Sequence, residues 1–242
     1  MNAIILSAGQ GKRLLPLTAN QPKCLLPIHG RSIVEWQIRE LRKFSIRPIY
    51  VVIGFGATQV EQSLTQQISQ GGIHTLYNPF YAMTDNLISC WTARHAMTND
   101  FILLNGDTVF ESAVLERLLH AQPAPITLVT DEKLHYDADD MKVIVKNTRL
   151  SRIGKTLPLE TVNGESIGMI RFQGNGPQLF CAALERRVRQ PESLKQWYLS
   201  LIDELAQQGH VSTVSIKGCT WAEIDNPADL QHAEILLKPF VP

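Results

Sequence analysis

The chain lacks the residue patterns of several protein classes. Its four cysteines, Cys24, Cys90, Cys181 and Cys219, are scattered, which argues against a paired-cysteine zinc motif, a redox pair and a disulfide framework. The seven histidines show no metal-ligand spacing, and no Ser, His and Asp arrangement indicates an acyl-enzyme. Buried thiols in a reducing compartment are the expected role of the cysteines.

An excess of charge of either sign is also missing, since 23 acidic residues balance 23 basic ones. This balance gives no electrostatic reason to expect a nucleic-acid or membrane partner. No apolar run approaches membrane-spanning length. The residues after Met1 do not form a basic segment with a long apolar stretch behind it. We therefore expect a cytoplasmic enzyme that acts on small molecules.

Apolar β-branched runs alternate with amphipathic segments in the first half of the chain. Buried strands are predicted at residues 4–6, 49–53 and 101–104, and helical spacing recurs at Ile33, Trp36, Gln37 and Leu41 and again at Val60, Leu64 and Ile68. Such βα units are typical of a mostly parallel sheet. The predicted fold class is α/β, with a Rossmann-like, mostly parallel mixed sheet and flanking helices.

The second half changes character, with short strands at close intervals that predict an antiparallel or mixed extension. The predicted elements are strands at 142–145, 150–153 and 166–172, helices at 177–188 and 194–208, a hairpin-like pair ending at 221–224, and a helix at 228–237 capped by Asn226 and Pro227. We expect one domain over residues 1–242, with a mostly parallel half at about 1–125 and a mixed half at about 126–242.

The first strand leads into a loop rich in glycine and basic residues. Gly9 and Gly11 allow a close backbone approach to a ligand, and Arg13 and Lys23 add a planar guanidinium and a mobile ammonium. The loop lacks the third glycine of a dinucleotide site, where Leu14 stands, and the Gly-Lys-Ser/Thr of a P-loop. It predicts a polyphosphate site, although two glycines alone are also typical of a tight turn.

Two acidic positions are expected to face this loop. Asp107 follows a predicted parallel strand, and ligands bind at the carboxyl ends of such strands; an ordinary Asn-Gly turn is the structural alternative. Glu223 and Asp225 lie two apart, on one face of a strand. Magnesium typically takes one or two carboxylates, so Asp107 and Asp225 are candidate ligands. Asp225 has an alternative role as a helix cap, and Glu223 as a water-mediated ligand, a partner of Lys23 or part of a surface ion pair.

The loop resembles the signature of the nucleotidyltransferases that make nucleoside-diphosphate sugars and CDP-alcohols. That signature reads L-x-x-G-x-G-x-R-L-x-P-L-T, three residues, then P-K-x-L-x-P. The matching positions are Leu6, Gly9, Gly11, Arg13, Leu14, Pro16, Leu17, Thr18, Pro22, Lys23, Leu25 and Pro27. The resemblance implies the nucleotide-diphospho-sugar transferase fold, which is GT-A-like. It also implies that the half at about 1–125 binds the nucleotide and the half at about 126–242 binds the acceptor.

Later motifs are similar in order to the phosphocholine cytidylyltransferase-like branch of this superfamily, at residues 86–91, 104–107, 141–143, 153–155, 164–168 and 223–225. The resemblance implies CTP as the favoured nucleotide, Mg²⁺ on Asp107 and Asp225, and catalytic roles for Arg13, Lys23 and Lys155. The implied nucleotide contacts are Leu6, Ala8, Gly9, Gly11, Lys12, Arg13, Lys23, Asn86, Ser89 and Gly106. The implied acceptor contacts are Trp91, Tyr136, Lys142, Lys155, Glu165, Tyr198 and Glu223.

The acceptor stays open at this point. Aromatic faces and carboxylates recognise a quaternary ammonium, and Tyr136 lies beside several aspartates while Trp91, Trp197, Tyr198 and Trp221 are further candidates. An ion pair between Lys142 and Glu165 that only ties strands together is an alternative role for those two residues. Many relatives have an acidic residue after two aromatics, where this chain has Leu199, so one acidic contact to the acceptor is missing. Phosphocholine, aminoethylphosphonate, another alcohol phosphate and a sugar 1-phosphate all remain candidates.

The predicted reaction is an in-line attack of an acceptor phosphate on the α-phosphate of CTP, which releases pyrophosphate and depends on positioning and charge rather than a strong base. In this hypothesis Lys23 steadies the α-phosphate and Arg13 takes the charge that grows on pyrophosphate. One alternative is a sugar-1-phosphate nucleotidyltransferase using UTP, GTP or dTTP. The other is a catalytically silent regulatory module, whose mark would be the loss of Asp107, Asp225 or Lys23.

Overall fold

A nine-stranded mixed sheet organises the chain, and helices pack on both of its faces. The computed structural model describes residues 1–240. Its strands are β1 (Asn2–Ser7), β2 (Pro27–Ile28), β3 (Arg31–Ser32), β4 (Ile49–Ile53), β5 (Ile73–Tyr77), β6 (Phe101–Asn105), β7 (Thr108–Phe110), β8 (Ile126–Asp131), β9 (Lys142–Lys146), β10 (Arg149–Gly154), β11 (Gly164–Phe172), β12 (Val211–Ser215) and β13 (Trp221–Glu223). Its α-helices are α1 (Ile33–Lys43), α2 (Ala57–Ser63), α3 (Thr65–Ser69), α4 (Asn86–Thr92), α5 (Ser112–His120), α6 (Gly176–Arg187), α7 (Leu199–Gln207) and α8 (Pro227–Leu237).

Strand β1 lies at the switch point of the sheet, whose order is β5-β4-β1-β6-β11-β8-β12-β10-β9. It pairs in parallel with β4 on one side and with β6 on the other, and Leu6 is in register with Asn105. Ligands of open α/β sheets bind in the crevice beyond the carboxyl ends of strands at such a point. The loops after β1 and β6 therefore leave the sheet side by side.

The apolar residues of the central strands are buried on both faces of the sheet. In β1, Ala3 and Ile5 pack in the layer of α1 and α5, while Ile4 packs on the opposite face with residues of α4 and α6. Burial on both faces explains why these strands appear as continuous apolar runs rather than as an alternation. The predicted α/β class with a mixed sheet is confirmed, and the four strands β5, β4, β1 and β6 are parallel.

The prediction of a hairpin-like pair ending at 221–224 is wrong. Strand β12 joins the main sheet parallel to β8, whereas β13 pairs antiparallel with β7, far away in sequence. The β7–β13 ribbon pairs Glu223 with Thr108, and Ile224 N–H donates to the carbonyl of Asp107 at 3.1 Å. A long-range pairing, which local pattern does not reveal, thus brings the two acidic motifs together.

Two helix boundaries differ from the prediction and one is confirmed. The 194–208 helix begins only at Leu199, because residues Pro191–Lys195 form a short 3-10 helix. The helical pattern through Val60 and Ile68 is split into α2 and α3 at Leu64. Asn226 caps α8 as predicted, with its side chain accepting from Ala228 N–H and Asp229 N–H. No helix within residues 1–240 is long and apolar enough to cross a bilayer.

Candidate active site

The loop after β1 is held in shape by one glycine in particular. Gly11 has φ +76°, and a Cβ there would stand 2.9 Å from the Cβ of Lys23. The Thr18 hydroxyl donates to the Gly11 carbonyl at 2.8 Å. Gly9, by contrast, has no positive φ and nothing within 4 Å of its would-be Cβ. Gly11 is therefore needed for the turn, whereas Gly9 keeps the pocket open.

A cluster of opposite charges forms where this loop meets the end of β6 and the end of β13. The Lys23 ammonium lies 2.8 Å from Asp107 Oδ2 and 2.8 Å from Asp225 Oδ1. The Arg13 guanidinium lies 2.7 Å from Asp225 Oδ2. Three segments distant in sequence thus converge as predicted, and Asp225 is engaged by both cations rather than serving as the cap of α8.

The charges in the cluster shift one another's titration. Burial lowers the pKa of Lys23, but Asp107 and Asp225 outweigh that effect and keep it above the usual value. Burial raises the pKa of Asp225, but Lys23 and Arg13 outweigh it and keep it below the usual value. Although the Glu223 residue is exposed at the surface, desolvation of its carboxyl group by the surrounding atoms, together with the charges of Asp107 and Asp225, raises its pKa to about 8. Lys23 and Asp225 are therefore an ion pair at neutral pH.

The carboxylates of the cluster fit a divalent cation. Oxygens of Asp107, Glu223 and Asp225 lie within 4.8 Å of one another. Within residues 1–240, Oδ1 of Asp107 is a buried atom without a hydrogen-bond partner. An all-oxygen set with spare acceptor atoms is what Mg²⁺ prefers. These three side chains could hold the ion at the point where Lys23 now supplies the positive charge.

Three connected pockets surround the cluster. The loop pocket, about 370 Å³, is lined by Leu6, Ser7, Gly9, Gly11, Arg13, Lys23, Cys24, Asp85, Asn86, Asn105, Gly106 and Asp107. The side pocket, about 200 Å³, is lined by Leu6, Ala8, Gly9, Tyr81, Thr84, Asp85, Asn86, Ser89 and Trp197. The acidic pocket, about 560 Å³, is lined by Arg13, Lys133, Asp137, Asp139, Asp140, Glu165, Trp221, Ala222, Glu223, Asp225, Asn226, Asp229 and His232.

The residues predicted to contact a nucleotide fall mainly in the first two pockets. Nine of the ten line one or both of them, and the exception, Lys12, is exposed and lines none of the three. Asn86 Oδ1 accepts from Tyr198 N–H at 3.0 Å, and the Ser89 hydroxyl accepts from Asn78 at 3.2 Å. The polar groups of α4 that face the side pocket are thus fixed in orientation.

Lys155 lies between the two sides of the site. Its ammonium is 4.5 Å from the centroid of the Trp197 ring and 3.6 Å from Asp139 Oδ1. The other oxygen of Asp139 lies 3.1 Å from Arg13. One exposed carboxylate therefore bridges the two cations that were predicted to bind phosphates.

Tyr198 and Trp91, two of the aromatic residues predicted to contact the acceptor, line none of the three pockets. Tyr198 is fully buried, and its hydroxyl donates to Asn105 Oδ1 at 3.0 Å, so it supports β6 instead of facing a ligand. Trp91 stacks against the Arg94 guanidinium at 3.9 Å and lines none of the three pockets. The Tyr198 side chain is thus inaccessible to a ligand in this structure, and the Trp91 ring contacts Arg94.

Lys142 and Glu165 do not form the ion pair that was the alternative to acceptor contact, although the two residues are register partners on β9 and β11. The buried Lys142 ammonium donates to main-chain carbonyls, those of Asp137, of Asp140 at 3.4 Å and of Lys155 at 3.0 Å. Glu165 pairs instead with Lys133 at 3.1 Å. Lys142 thus supports the segment that carries Asp137 and Asp140, while Glu165 does line the acidic pocket.

Tyr136 lies in a neighbouring depression with Leu159 and Val162 rather than in the acidic pocket. Trp221 lines the acidic pocket, and its indole N–H donates to Asp131 at 2.7 Å. Asp139 and Lys133 were not among the predicted ligand contacts, and Trp197 was considered only as one of several aromatic candidates for recognising a quaternary ammonium. In the sequence these residues stand out only because they lie near other aromatic and acidic residues. Such proximity does not show which way a side chain points.

A family model described as the MobA-like NTP transferase domain matches residues 3–211. Over 249 residues the chain is 29% identical to the CMP-5'-(3-aminopropyl)phosphonate synthase of Streptomyces rubellomurinus, covering 99% of this chain but 39% of that protein. It is 22% identical to the choline-phosphate cytidylyltransferase of Streptococcus pneumoniae, covering 98% and 99%. The inositol-1-phosphate CTP transferase structure from T. maritima superposes with a TM-score of 0.79 at 19% identity, covering 100% and 97%. This last likeness confirms the fold.

Proposed function

Because the chain belongs to the MobA-like NTP transferase family, we propose that it transfers CMP from CTP to a phosphorylated small molecule, in the presence of Mg²⁺, and releases pyrophosphate. The observation that carries this proposal is the convergence of Arg13 and Lys23 with Asp107 and Asp225 at the mouth of the glycine loop. Cations for a triphosphate and carboxylates for its metal ion meet there at one edge of the sheet.

The choice of CTP is supported by the names of two sequence relatives. One is a CMP-5'-(3-aminopropyl)phosphonate synthase and the other a choline-phosphate cytidylyltransferase. The chain spans nearly the whole length of the second but well under half of the first, so these names support the nucleotide and do not decide the acceptor.

The chain's own residues account for the chemistry by positioning and by charge. An anionic oxygen of the acceptor phosphate attacks the α-phosphorus of CTP, a new P–O bond forms, the bond to the β-phosphate oxygen breaks, and pyrophosphate leaves. No strong base is needed, because the nucleophile carries no proton to remove. In this proposal Lys23 binds the α-phosphate, Arg13 binds the leaving pyrophosphate, and Lys155 binds the acceptor phosphate.

Asp107 and Asp225, with Glu223 beside them, would hold the metal ion. When bound, Mg²⁺ supplies charge stabilisation to phosphate oxygens at the reacting centre. A role for Lys23 as the partner of these carboxylates in the free protein is compatible with this, since phosphates and metal bring their own opposite charges to the site. In the substrate complex, the phosphates would neutralise Lys23 and the metal ion would neutralise the carboxylates, which in the free protein neutralise each other.

The acidic pocket favours an acceptor that carries a positive charge in addition to its phosphate. Its lining holds more carboxylates than cations, and Trp221 adds an aromatic surface. Cations are attracted to such a surface by roughly 0.5–2 kcal/mol per ring. Phosphocholine and aminoalkyl phosphonates have this chemistry, whereas a sugar 1-phosphate has no cationic group to pair with Asp140, Glu165 or Asp229.

The experiment is a matrix of CTP, UTP, GTP and dTTP against phosphocholine, aminoethylphosphonate, glucose 1-phosphate and inositol 1-phosphate, with pyrophosphate release as the readout. We expect release with CTP and a cationic acceptor, dependent on Mg²⁺ and abolished in Asp107→Asn. Asp100→Asn, which changes an aspartate outside the three pockets, is the matched control and should retain activity. Turnover with a sugar 1-phosphate and another nucleotide instead would overturn both the nucleotide and the acceptor class.

A further inference from the structure

Trp197 is a large aromatic residue exposed where the side pocket meets Lys155. Its relative exposure is 42%, whereas the adjacent Tyr198 is completely buried. The side pocket that it borders also contains Leu6, Ala8, Asn86 and Ser89. An exposed tryptophan at a pocket wall is a candidate ligand contact, because its large apolar face gains from being covered.

The main chain on either side of Trp197 is fixed to the start of α4. The Gln196 carbonyl accepts from Leu87 N–H at 3.3 Å, and Tyr198 N–H donates to Asn86 Oδ1 at 3.0 Å. Burial of Tyr198 anchors the following residue in the core. The main chain that carries the indole is therefore held in a set position relative to Asn86, without needing a ligand to order it.

The same indole contacts a cation. Lys155 Nζ lies 4.5 Å from the ring centroid, within the range of a cation–π interaction. Lys155 follows the end of β10 and does not itself line the side pocket, whose other walls include residues of β1 and α4. Trp197 is thus a side chain that touches both the pocket beside the glycine loop and the lysine proposed to bind the acceptor.

We propose that Trp197 is a positioning residue shared by the two substrates: it forms a wall against which the nucleobase packs, and its ring holds the Lys155 ammonium toward the acceptor phosphate. This inference rests on the proposed function. Every base offers a π-face to an aromatic side chain, so the wall contributes affinity for nucleotides in general rather than the choice of cytosine. Substitution of Trp197 should consequently affect both substrates, although it carries no charge and reacts with neither.

The test compares Trp197→Phe and Trp197→Leu with the matched control Trp91→Phe. Trp91 also stacks with a cation, Arg94, but lines none of the three pockets. CTP binding is measured with CTP and Mg²⁺ alone, by equilibrium dialysis and by intrinsic fluorescence, followed by KM and kcat for both substrates with the acceptor that the matrix identifies. The chain has four tryptophans, so a signal that depends on one of them is assignable by substitution.

We expect Trp197→Leu to weaken CTP binding about 10-fold and to raise the acceptor KM by about the same factor, with a smaller change in kcat. Trp197→Phe should keep affinity within about 3-fold, since a smaller ring still packs against a base. The fluorescence change produced by CTP should disappear in Trp197→Phe and persist in Trp91→Phe.

Wild-type affinity for CTP in Trp197→Leu overturns the inference, and so does a loss confined to one substrate. If Trp197→Leu does not fold, Trp197→Phe decides, because persistence of the CTP-induced fluorescence change in that variant overturns the wall assignment. Failure of the wild-type protein to bind any of the four nucleotides is a different result, which contradicts the proposed function itself.

Discussion

Replacing Lys23 by methionine removes one positive charge and keeps an apolar stem of similar length. The ammonium lies 2.8 Å from both Asp107 and Asp225, and the lysine side chain is only 11% exposed. Its loss leaves two carboxylates, with Glu223 close by, and only Asp225 keeps a cationic partner, Arg13. We expect a protein that is less stable without a metal ion and that gains more from magnesium than the wild type does.

The magnitude follows from how far the pair is buried. An exposed ion pair contributes about 0–1 kcal/mol, and removal of one partner from a fully buried pair costs about 3–5 kcal/mol. The carboxylates of Asp107 and Asp225 are 23% and 24% exposed, which places the loss between these limits, at about 2–3 kcal/mol. For a chain of this size that corresponds to a Tm lower by about 4–12 °C.

Magnesium should restore much of this loss in Lys23→Met, because the ion no longer competes with an ammonium for the same oxygens. A tenfold gain in metal affinity adds about 1.4 kcal/mol at saturation, or about 3–6 °C in Tm. Thermal unfolding in EDTA and in millimolar magnesium measures both quantities. Lys12→Met, on an exposed lysine of the same turn, is the control for charge alone. Equal stability of Lys23→Met and wild type in EDTA, with equal magnesium shifts, would refute the reasoning.

Three further perturbations test separate parts of the site. Gly11→Ala places a Cβ at φ +76° and 2.9 Å from Lys23, so urea unfolding should show a loss of about 1–2 kcal/mol; Gly9→Ala, with open space at its Cβ, should not, and equal losses would contradict the distinct roles of the two glycines. Asp139→Asn removes the carboxylate that bridges the two cations proposed to bind phosphates, and calorimetry should find CTP bound about 2- to 5-fold more tightly, since exposed pairs are weak; an unchanged Kd would mean that the bridge does not compete with CTP. Burial raises the pKa of Glu165 to about 7, with Lys133 opposing the shift. The folded wild-type protein therefore holds this proton more tightly than the unfolded chain does, and the resulting stability is lost as the pH rises through about 7. The free energy of unfolding of Glu165→Gln should therefore rise by about 1–2 kcal/mol relative to that of the wild type between about pH 5 and about pH 8. If urea titrations give the two proteins the same dependence of stability on pH, the prediction is wrong.

The glycine loop and the acidic cluster were predictable for two reasons. Their residue types indicate phosphate and metal binding, and the order of the strands places them at one edge of the sheet. Gly11, Lys23 and Asp107 follow or contact the ends of β1 and β6, and parallel strands leave their carboxyl ends at one edge. Asp225 was predictable as a candidate for a different reason, its spacing of two from Glu223 on a strand. The structure adds the contact that the pattern could not show, an ammonium between the two aspartates.

The acceptor side was harder to predict because the side chains there depend on contacts between distant segments. Trp197 and Tyr198 are adjacent, and a helix start rather than a periodic pattern decides which one is buried. Lys142 and Glu165 are register partners, but a buried ammonium needs several acceptors, and main-chain carbonyls provide them better than one carboxylate does. The pairing of β13 with β7, which sets the position of Glu223, joins segments more than a hundred residues apart.

The central claim is that a bond forms between the acceptor phosphate and the α-phosphate of CTP. Phosphorus NMR of a reaction containing CTP, Mg²⁺ and phosphocholine tests it directly, because it observes both products at once. The account predicts two coupled resonances of a new diphosphate linkage, in amounts equal to the pyrophosphate formed, and none with Asp107→Asn. Inorganic phosphate or CMP without a coupled pair, with every acceptor of the matrix, would contradict it.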